Sequence, residues 1–271
     1  EAIRKLFLEF INSIQSGGFL ILCVDSPEVK GLFNKIERKD LQIIQYGEIS
    51  DQLTFSKLSL QKSGSFSRVI YKGKVLGEME LSIPGEHNAL NALAVVGAAL
   101  ALNLSSSEVI AGVKNFTGAR RRFEIRGTAN GVTVIDDYGH HPVEISAVLK
   151  AARASTNAKV IAIVQPHRYT RLHSLFDQFS TCFNDADCVI VADTYSAGEA
   201  PIAGADGKAL SRSIRVRGQV DPVFVQNRED LATILAGIVN KDDVILTMGA
   251  GNVGQIAAEL PGKLKEALHA G

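Results

Sequence analysis

With 271 residues, 46% of them apolar, the chain can bury one large core or two ordinary ones, which excludes wholesale disorder. Its 29 Lys and Arg cancel its 29 Asp and Glu, so it has no electrostatic footprint for nucleic acid or an anionic membrane. The longest apolar run, Ala92 to Leu102, is too short to insert across a bilayer.

The periodicity predicts a helix over 2–16, and the continuous apolar run Phe19–Val24 predicts a buried strand. Asp25-Ser26-Pro27 punctuates it before a short helix over Val29–Ile36 and a second strand over Leu41–Tyr46. From Thr54 to Ile83 polar and apolar residues alternate between Gly-containing turns, the pattern of antiparallel hairpins. A long apolar helix follows over His87–Leu102. Ser105 and Glu108 have the spacing of a capping box for a shorter helix ending near Lys114.

After Arg122 the pattern becomes strand–helix alternation, and a domain boundary near Arg120 divides 1–119 from 120–271. Strands are expected at 131–138, 160–165, 188–193, 223–226 and 244–248, with helices at 142–154, 170–183, 207–216, 228–239 and 253–268. The fold class is α/β, with a mainly parallel sheet covered by helices on both faces. Cys23, Cys182 and Cys188 are odd in number and stand at no metal-ligand spacing, which predicts reduced thiols and a cytoplasmic protein. The chain carries no initiator Met, which predicts that its beginning is missing.

Four stretches carry chemistry. Asp136-Asp137-Tyr138-Gly139-His140-His141-Pro142 places two carboxylates, a phenol and two imidazoles where a strand gives way to a helix. In an α/β sheet that end opens onto the ligand crevice. Helix capping accounts for one or two of these residues, not five. Gln165-Pro166-His167-Arg168-Tyr169-Thr170-Arg171 follows the next strand. Arg168 and Arg171 are three apart and share a side within a helical turn, an arrangement suited to a carboxylate or phosphate. Asn88 and Asn91 are three apart on the apolar helix. They suit a purine edge, although N-terminal capping by Asn88 with Asn91 tolerated is the slightly favoured reading of the residues alone. Gly249-Ala250-Gly251-Asn252-Val253-Gly254 follows the last strand and is read as a close-packed turn lining the same crevice.

In this order, GEHNALNA at 85–92, RRF at 121–123, DDYGHHP at 136–142, QPHRYTR at 165–171, AGEAPI at 197–202 and GAGN at 249–252 closely resemble the Mur ligase family of bacterial peptidoglycan synthesis. The resemblance runs over essentially the whole chain. It implies a C-terminal Rossmann-like domain for the incoming amino acid at 120–271, preceded by the second half of a central ATPase domain at 1–119. The forms of DDYGHHP and QPHRYTR imply UDP-N-acetylmuramate and L-alanine as substrates. They are joined with ATP and Mg²⁺ through an acyl phosphate and a tetrahedral intermediate.

The resemblance assigns adenine to Asn88 and Asn91, and the nucleotide phosphates and ribose to Arg122 and Asp137. Tyr138, His140, His167, Arg168 and Arg171 would line the amino-acid and muramoyl site, with His140, Arg168 and Arg171 catalytic. The sequence has no Gly-x-x-x-x-Gly-Lys-Ser/Thr phosphate loop. The resemblance therefore places that loop, the Mg²⁺ ligands and the UDP-sugar domain outside these 271 residues. On this reading the missing N-terminal domains are its partners, and the chain alone is inactive. Two alternatives stand beside it: a non-catalytic nucleotide or amino-acid binding module, and a metal-dependent hydrolase using Asp136, Asp137, His140, His141 and His167.

Overall fold

The computed structural model describes residues 2–61 and 63–270, and the chain divides into two units, 1–117 and 118–271. Lys62, inside the expected hairpin region, lies outside the described residues.

The first unit runs α1 (Ala2–Ser13), β1 (Phe19–Cys23), α2 (Pro27–Phe33), β2 (Gln42–Tyr46), β3 (Leu53–Gln61), β4 (Gly64–Tyr71), β5 (Lys74–Leu81), α3 (Glu86–Ala101) and α4 (Ser106–Val113). Its sheet has the order β1-β2-β3-β4-β5, parallel from β1 to β3 and antiparallel from β3 to β5. Helix α3 is apolar on most sides because it lies in the core. Ala89, Leu93 and Val96 meet Leu53, Val69 and Met79 of the sheet. Gly97 lets it come close: a Cβ there would stand 3.0 Å from Ile21 and 3.3 Å from Leu53. Ser105 caps α4 by accepting the Glu108 amide at 3.4 Å.

The second unit contains β6 (Glu124–Ala129), β7 (Val132–Asp137), α5 (Pro142–Ser155), β8 (Val160–Val164), α6 (Tyr169–Ser174), α7 (Phe176–Phe179), β9 (Cys188–Ala192), α8 (Gly207–Arg217), β10 (Pro222–Val225), α9 (Leu231–Ala236), β11 (Val244–Met248) and α10 (Val253–Ala270). The sheet order is β10-β9-β8-β11-β7-β6, parallel throughout except for β6. The period of two along each strand feeds two cores. Val160, Ala162 and Val164 of β8 face α5, α6, α7 and α8, while Ile161 and Ile163 face α9 and α10. Each fully buried Leu or Ile contributes about 1.5–3 kcal/mol.

Three expectations are corrected here. Strand β6 is absent from the sequence reading because Glu-Ile-Arg-Gly-Thr-Ala has neither a continuous apolar run nor clean alternation. It is an edge strand with a register shift before Gly127, whose φ of +151° suits glycine. The single helix expected over 170–183 is two short helices, broken at Leu175 with φ −118° and ψ 21°. The helix expected over 228–239 is a 3₁₀ turn at Arg228–Asp230 followed by α9.

Candidate active site

Strands β7, β8, β9 and β11 run parallel, so the segments that follow them emerge at one end of the sheet. The polar clusters of the second unit lie there. Tyr138, His140, His167 and Tyr195 form a row of rings across the strand ends. Tyr138 meets His140 edge-on at 5.4 Å, His140 tilts against His167 at 5.9 Å, and His167 stacks on Tyr195 at 5.4 Å with 13° between planes. The pairing of residues 167 and 195 prolongs the β8–β9 ladder by one bridge. Tyr195 escaped sequence reading; its one signal is an aromatic residue placed after a strand, as Tyr138 is.

The two imidazoles have complementary free nitrogens. His140 Nδ1 lies 3.0 Å from the Tyr138 carbonyl, which can only accept. Nδ1 therefore carries the hydrogen, and Nε2 of the neutral ring holds a free lone pair. His167 Nδ1 lies 3.3 Å from Arg171 Nη1, which can only donate, so the hydrogen of neutral His167 sits on Nε2. Arg171 Nη1 also donates to the His167 carbonyl at 3.2 Å.

Glu144 of α5 sets the pose of the first imidazole. Its Oε2 accepts the amides of His140 and His141 at 2.9 and 3.1 Å and lies 3.7 Å from His140 Nδ1. Burial opposes its ionisation, but those amides and the charges of His140 and Arg122 hold its pKa below the usual carboxylate value. His141 caps α5, its Nδ1 accepting the Val143 amide at 3.3 Å.

Burial, reinforced by Arg171, His140 and Arg168, holds the His167 pKa below 6.5. The sign follows directly. Between the folded and unfolded pKa values the folded chain binds fewer protons, so this contribution to stability is present above pH 6.5 and is lost as pH falls through the folded pKa. An NMR titration of the His167 ring is expected to give a midpoint below 6.5 that rises in Arg171→Gln. A midpoint above 6.5 would contradict the geometry.

Arg168 does not share a helical face with Arg171. It precedes α6 with φ +70°, because the β8–β9 bridge draws its amide onto the Tyr195 carbonyl at 2.8 Å and the chain must then reverse. Its half-exposed guanidinium lies 3.7 Å from Glu199, which also accepts the Thr170 amide at 3.0 Å and its hydroxyl at 2.7 Å. The Thr170 amide and hydroxyl hold the Glu199 pKa below the usual value. Arg171 is thus the arginine hydrogen-bonded to His167, and Arg168 fastens the 195–199 loop.

The two aspartates turn inward. Asp136, 1% exposed, accepts Arg121 Nε at 2.9 Å and the Thr247 hydroxyl at 2.9 Å. Asp137, 2% exposed, accepts the Gly139 amide at 2.6 Å and the Phe123 amide at 2.8 Å. Burial pushes its carboxyl above the ordinary range despite those amides and Arg122. Each of its oxygens accepts a backbone amide, so the side chain fixes the turn at residues 121–123. Arg121, which sequence reading passed over in favour of Arg122, is the organising arginine. It also donates to the Gly249 carbonyl at 2.5 Å, and its guanidinium lies 5.1 Å from the Tyr138 ring centre. Arg122 is exposed, with its guanidinium 5.8 Å from the same ring.

The glycine loop after β11 is packed. A Cβ at Gly249 would lie 2.7 Å from the Gln165 carbonyl, and one at Gly251 would lie 2.7 Å from Tyr195 Cγ. Gln165 accepts the Val253 amide at 3.2 Å, so that donor at the start of α10 is already used.

In the first unit Asn91 of α3 is exposed, while Asn88 is half-buried and donates to the Pro84 carbonyl at 2.7 Å. The hydrolase ligand set does not assemble: Asp136, Asp137 and His141 serve Arg121, two backbone amides and the α5 cap. Among the described residues no three His, Cys, Asp or Glu side chains converge as a metal site. Nor is any described helix long and apolar enough to cross a membrane.

Known proteins share these features. Residues 1–99 match the Mur ligase middle domain, and residues 121–251 match the Mur ligase glutamate ligase domain. The chain is 48% identical over 98% of its length to a UDP-N-acetylmuramate–L-alanine ligase of Rhodopseudomonas palustris strain BisB5, of which it spans 58%. A UDP-N-acetylmuramate–alanine ligase of Thermotoga maritima superimposes with a TM-score of 0.71 at 26% identity, over 90% of this chain and 56% of that one. A MurF ligase of the same organism, solved with ADP, shares the fold with a TM-score of 0.73 at 16% identity, over 97% of this chain and 57% of that one. With its first unit matching the middle domain and its second the domain that follows, the chain belongs to the Mur ligase family.

Proposed function

We propose that this chain forms the amino-acid side, and part of the nucleotide side, of an enzyme that joins L-alanine to UDP-N-acetylmuramate in peptidoglycan synthesis in the cytoplasm. One observation carries the reading. A donor nitrogen on His167, a free lone pair on His140 and the guanidinium of Arg171 are gathered at the strand ends of a chain 48% identical to a ligase of that name.

In the proposed reaction ATP phosphorylates the muramate carboxylate, releasing ADP. The L-alanine amine attacks the acyl carbon, and the tetrahedral intermediate collapses to amide and inorganic phosphate. Arg171, beside His167, holds the L-alanine carboxylate, and His167 Nε2–H adds a second donor to the same anion. His140 Nε2 takes the proton that the attacking amine must lose. Tyr138 and Tyr195 wall the site, and Arg168 orders one side of it through Glu199. Most of the acceleration comes from positioning and from cations facing the anionic intermediate.

The nucleotide side is sparser. The exposed Asn91, with Asn88 beside it, suits the adenine edge. Arg122, exposed beside the turn that Asp137 holds through the Phe123 amide, suits a phosphate. Bound ATP supplies the phosphoryl group, and these residues only hold and orient it. Among the described residues no three His, Cys, Asp or Glu side chains converge as a set of Mg²⁺ ligands.

The chain alone, without a phosphate loop, is expected to give no ATP-dependent product. Incorporation of labelled L-alanine by the purified chain would overturn that. Joined to the part of the Rhodopseudomonas ligase that lies outside the matched 58%, it makes a chimera in which the roles can be measured. There Arg171→Ala is expected to raise KM for L-alanine by about 10–100-fold, the loss of a hydrogen bond to a charged group. An unchanged KM would remove Arg171 from the amino-acid site.

A further inference from the structure

Of the rings across the strand ends, Tyr195 is tied to its neighbour through both backbone and side chain. Its amide donates to the Pro166 carbonyl at 2.8 Å, and its carbonyl accepts the Arg168 amide at 2.8 Å. These bonds set residues 167 and 195 level, as in a parallel ladder. The two rings then stack, 5.4 Å apart with 13° between planes.

Gly251 closes on the same side chain. A Cβ there would lie 2.7 Å from Tyr195 Cγ and 2.9 Å from Tyr195 Cβ. Residue 251 has no positive φ, so its backbone would accept any side chain, and the glycine is there for space. Both atoms sit at the root of the tyrosine, which leaves it little room to swing off His167.

A stack of this kind fixes a plane. His167 has two other holds on its ring. Arg171 meets Nδ1 at 3.3 Å, a contact about which the imidazole can still tilt. His140 meets the ring at 5.9 Å and 55°, with the planes far from parallel. The parallel face belongs to Tyr195.

We infer that Tyr195 is a positioning residue: its flat face sets the plane of His167 and so the direction in which Nε2–H leaves the ring. A donor tilted well away from its acceptor loses its bond, so Tyr195 governs how His167 meets the amino-acid carboxylate. That consequence rests on the ligase reading; the hold on His167 does not.

Three substitutions test it. Tyr195→Phe keeps the flat face, Tyr195→Leu keeps apolar bulk without it, and Tyr195→Ala removes both. The side chain is 39% exposed, so each is expected to change Tm by no more than a few degrees. In the chimera, KM for L-alanine is expected to rise by about tenfold in Tyr195→Leu and Tyr195→Ala, with kcat held within about twofold. Tyr195→Phe is expected to recover KM to within about twofold of the parent. In the chain alone, the NMR midpoint of His167 is expected to rise toward 6.5 in Tyr195→Ala, as water reaches the uncovered face, and to stay with the parent in Tyr195→Phe.

A Tyr195→Phe variant as impaired as Tyr195→Ala would put the tyrosine hydroxyl on the substrate and overturn the proposal. So would a His167 midpoint indifferent to Tyr195→Ala, or a loss of kcat with KM unchanged. If Tyr195→Ala unfolds the chain, Tyr195→Leu against Tyr195→Phe makes the same comparison. A chimera that makes no product, beside a His167 titration that responds as expected, would count against the ligase reading and leave the positioning role standing.

Discussion

Asp136→Ala is expected to destabilise the second unit by about 3–5 kcal/mol, because it leaves the largely buried Arg121 guanidinium without its counter-charge. Asp136 ties four pieces of the fold together: the end of β7, the turn at Arg121, Thr247 of β11 and, through Arg121, the Gly249 carbonyl. In urea or thermal unfolding this corresponds to a fall in Tm of roughly 10 °C or more. Asp136→Asn keeps the shape and one acceptor, so its cost is smaller, about 1–3 kcal/mol. The contrast is Asp177, 93% exposed and paired with Arg217 at 3.0 Å. Asp177→Ala is expected to shift stability by no more than about 0.5 kcal/mol. Equal effects at the two sites would refute a structural role for the Arg121–Asp136 pair.

His140→Ala in the chimera is expected to lower kcat by about 10²–10⁴-fold, the usual range for a lost general base, with little change in KM for L-alanine. His140 reaches the crevice with one nitrogen committed to the Tyr138 carbonyl and the other free, a pose set by Glu144. Glu144→Gln keeps the size of that side chain but weakens its hold on the His140 and His141 amides, so a smaller loss of kcat is expected. If His140→Ala instead raised KM and spared kcat, the residue would be a binding group and the proton would leave by another route.

The sequence disclosed some of this arrangement and hid the rest for physical reasons. Buried strands such as Val160–Val164 were legible because both faces are apolar, and the helices of the second unit by their apolar stripes. The clusters at the ends of β7 and β8 were legible because titratable residues crowd a strand–helix junction. Which side chains turn inward was not. Asp136 and Asp137 are identical in type and adjacent, yet Asp136 takes an arginine and Asp137 two backbone amides, a division set by residues 121–123 across the β6–β7 pair. Likewise the spacing of Arg168 and Arg171 implied one helical face. A long-range bond from the Arg168 amide to Tyr195 moved the first of them off the helix. Tyr195 entered the site through that same strand–strand contact, which no local pattern announces.

The most direct measurement follows labelled L-alanine in the chimera supplied with ATP and UDP-N-acetylmuramate. The expected result is one UDP-N-acetylmuramoyl-L-alanine, one ADP and one phosphate per turnover, lost in His140→Ala and absent from the chain alone. A folded chimera that leaves L-alanine unjoined, or that joins it equally well after His140→Ala, would contradict the assignment of this row of rings as the amino-acid site.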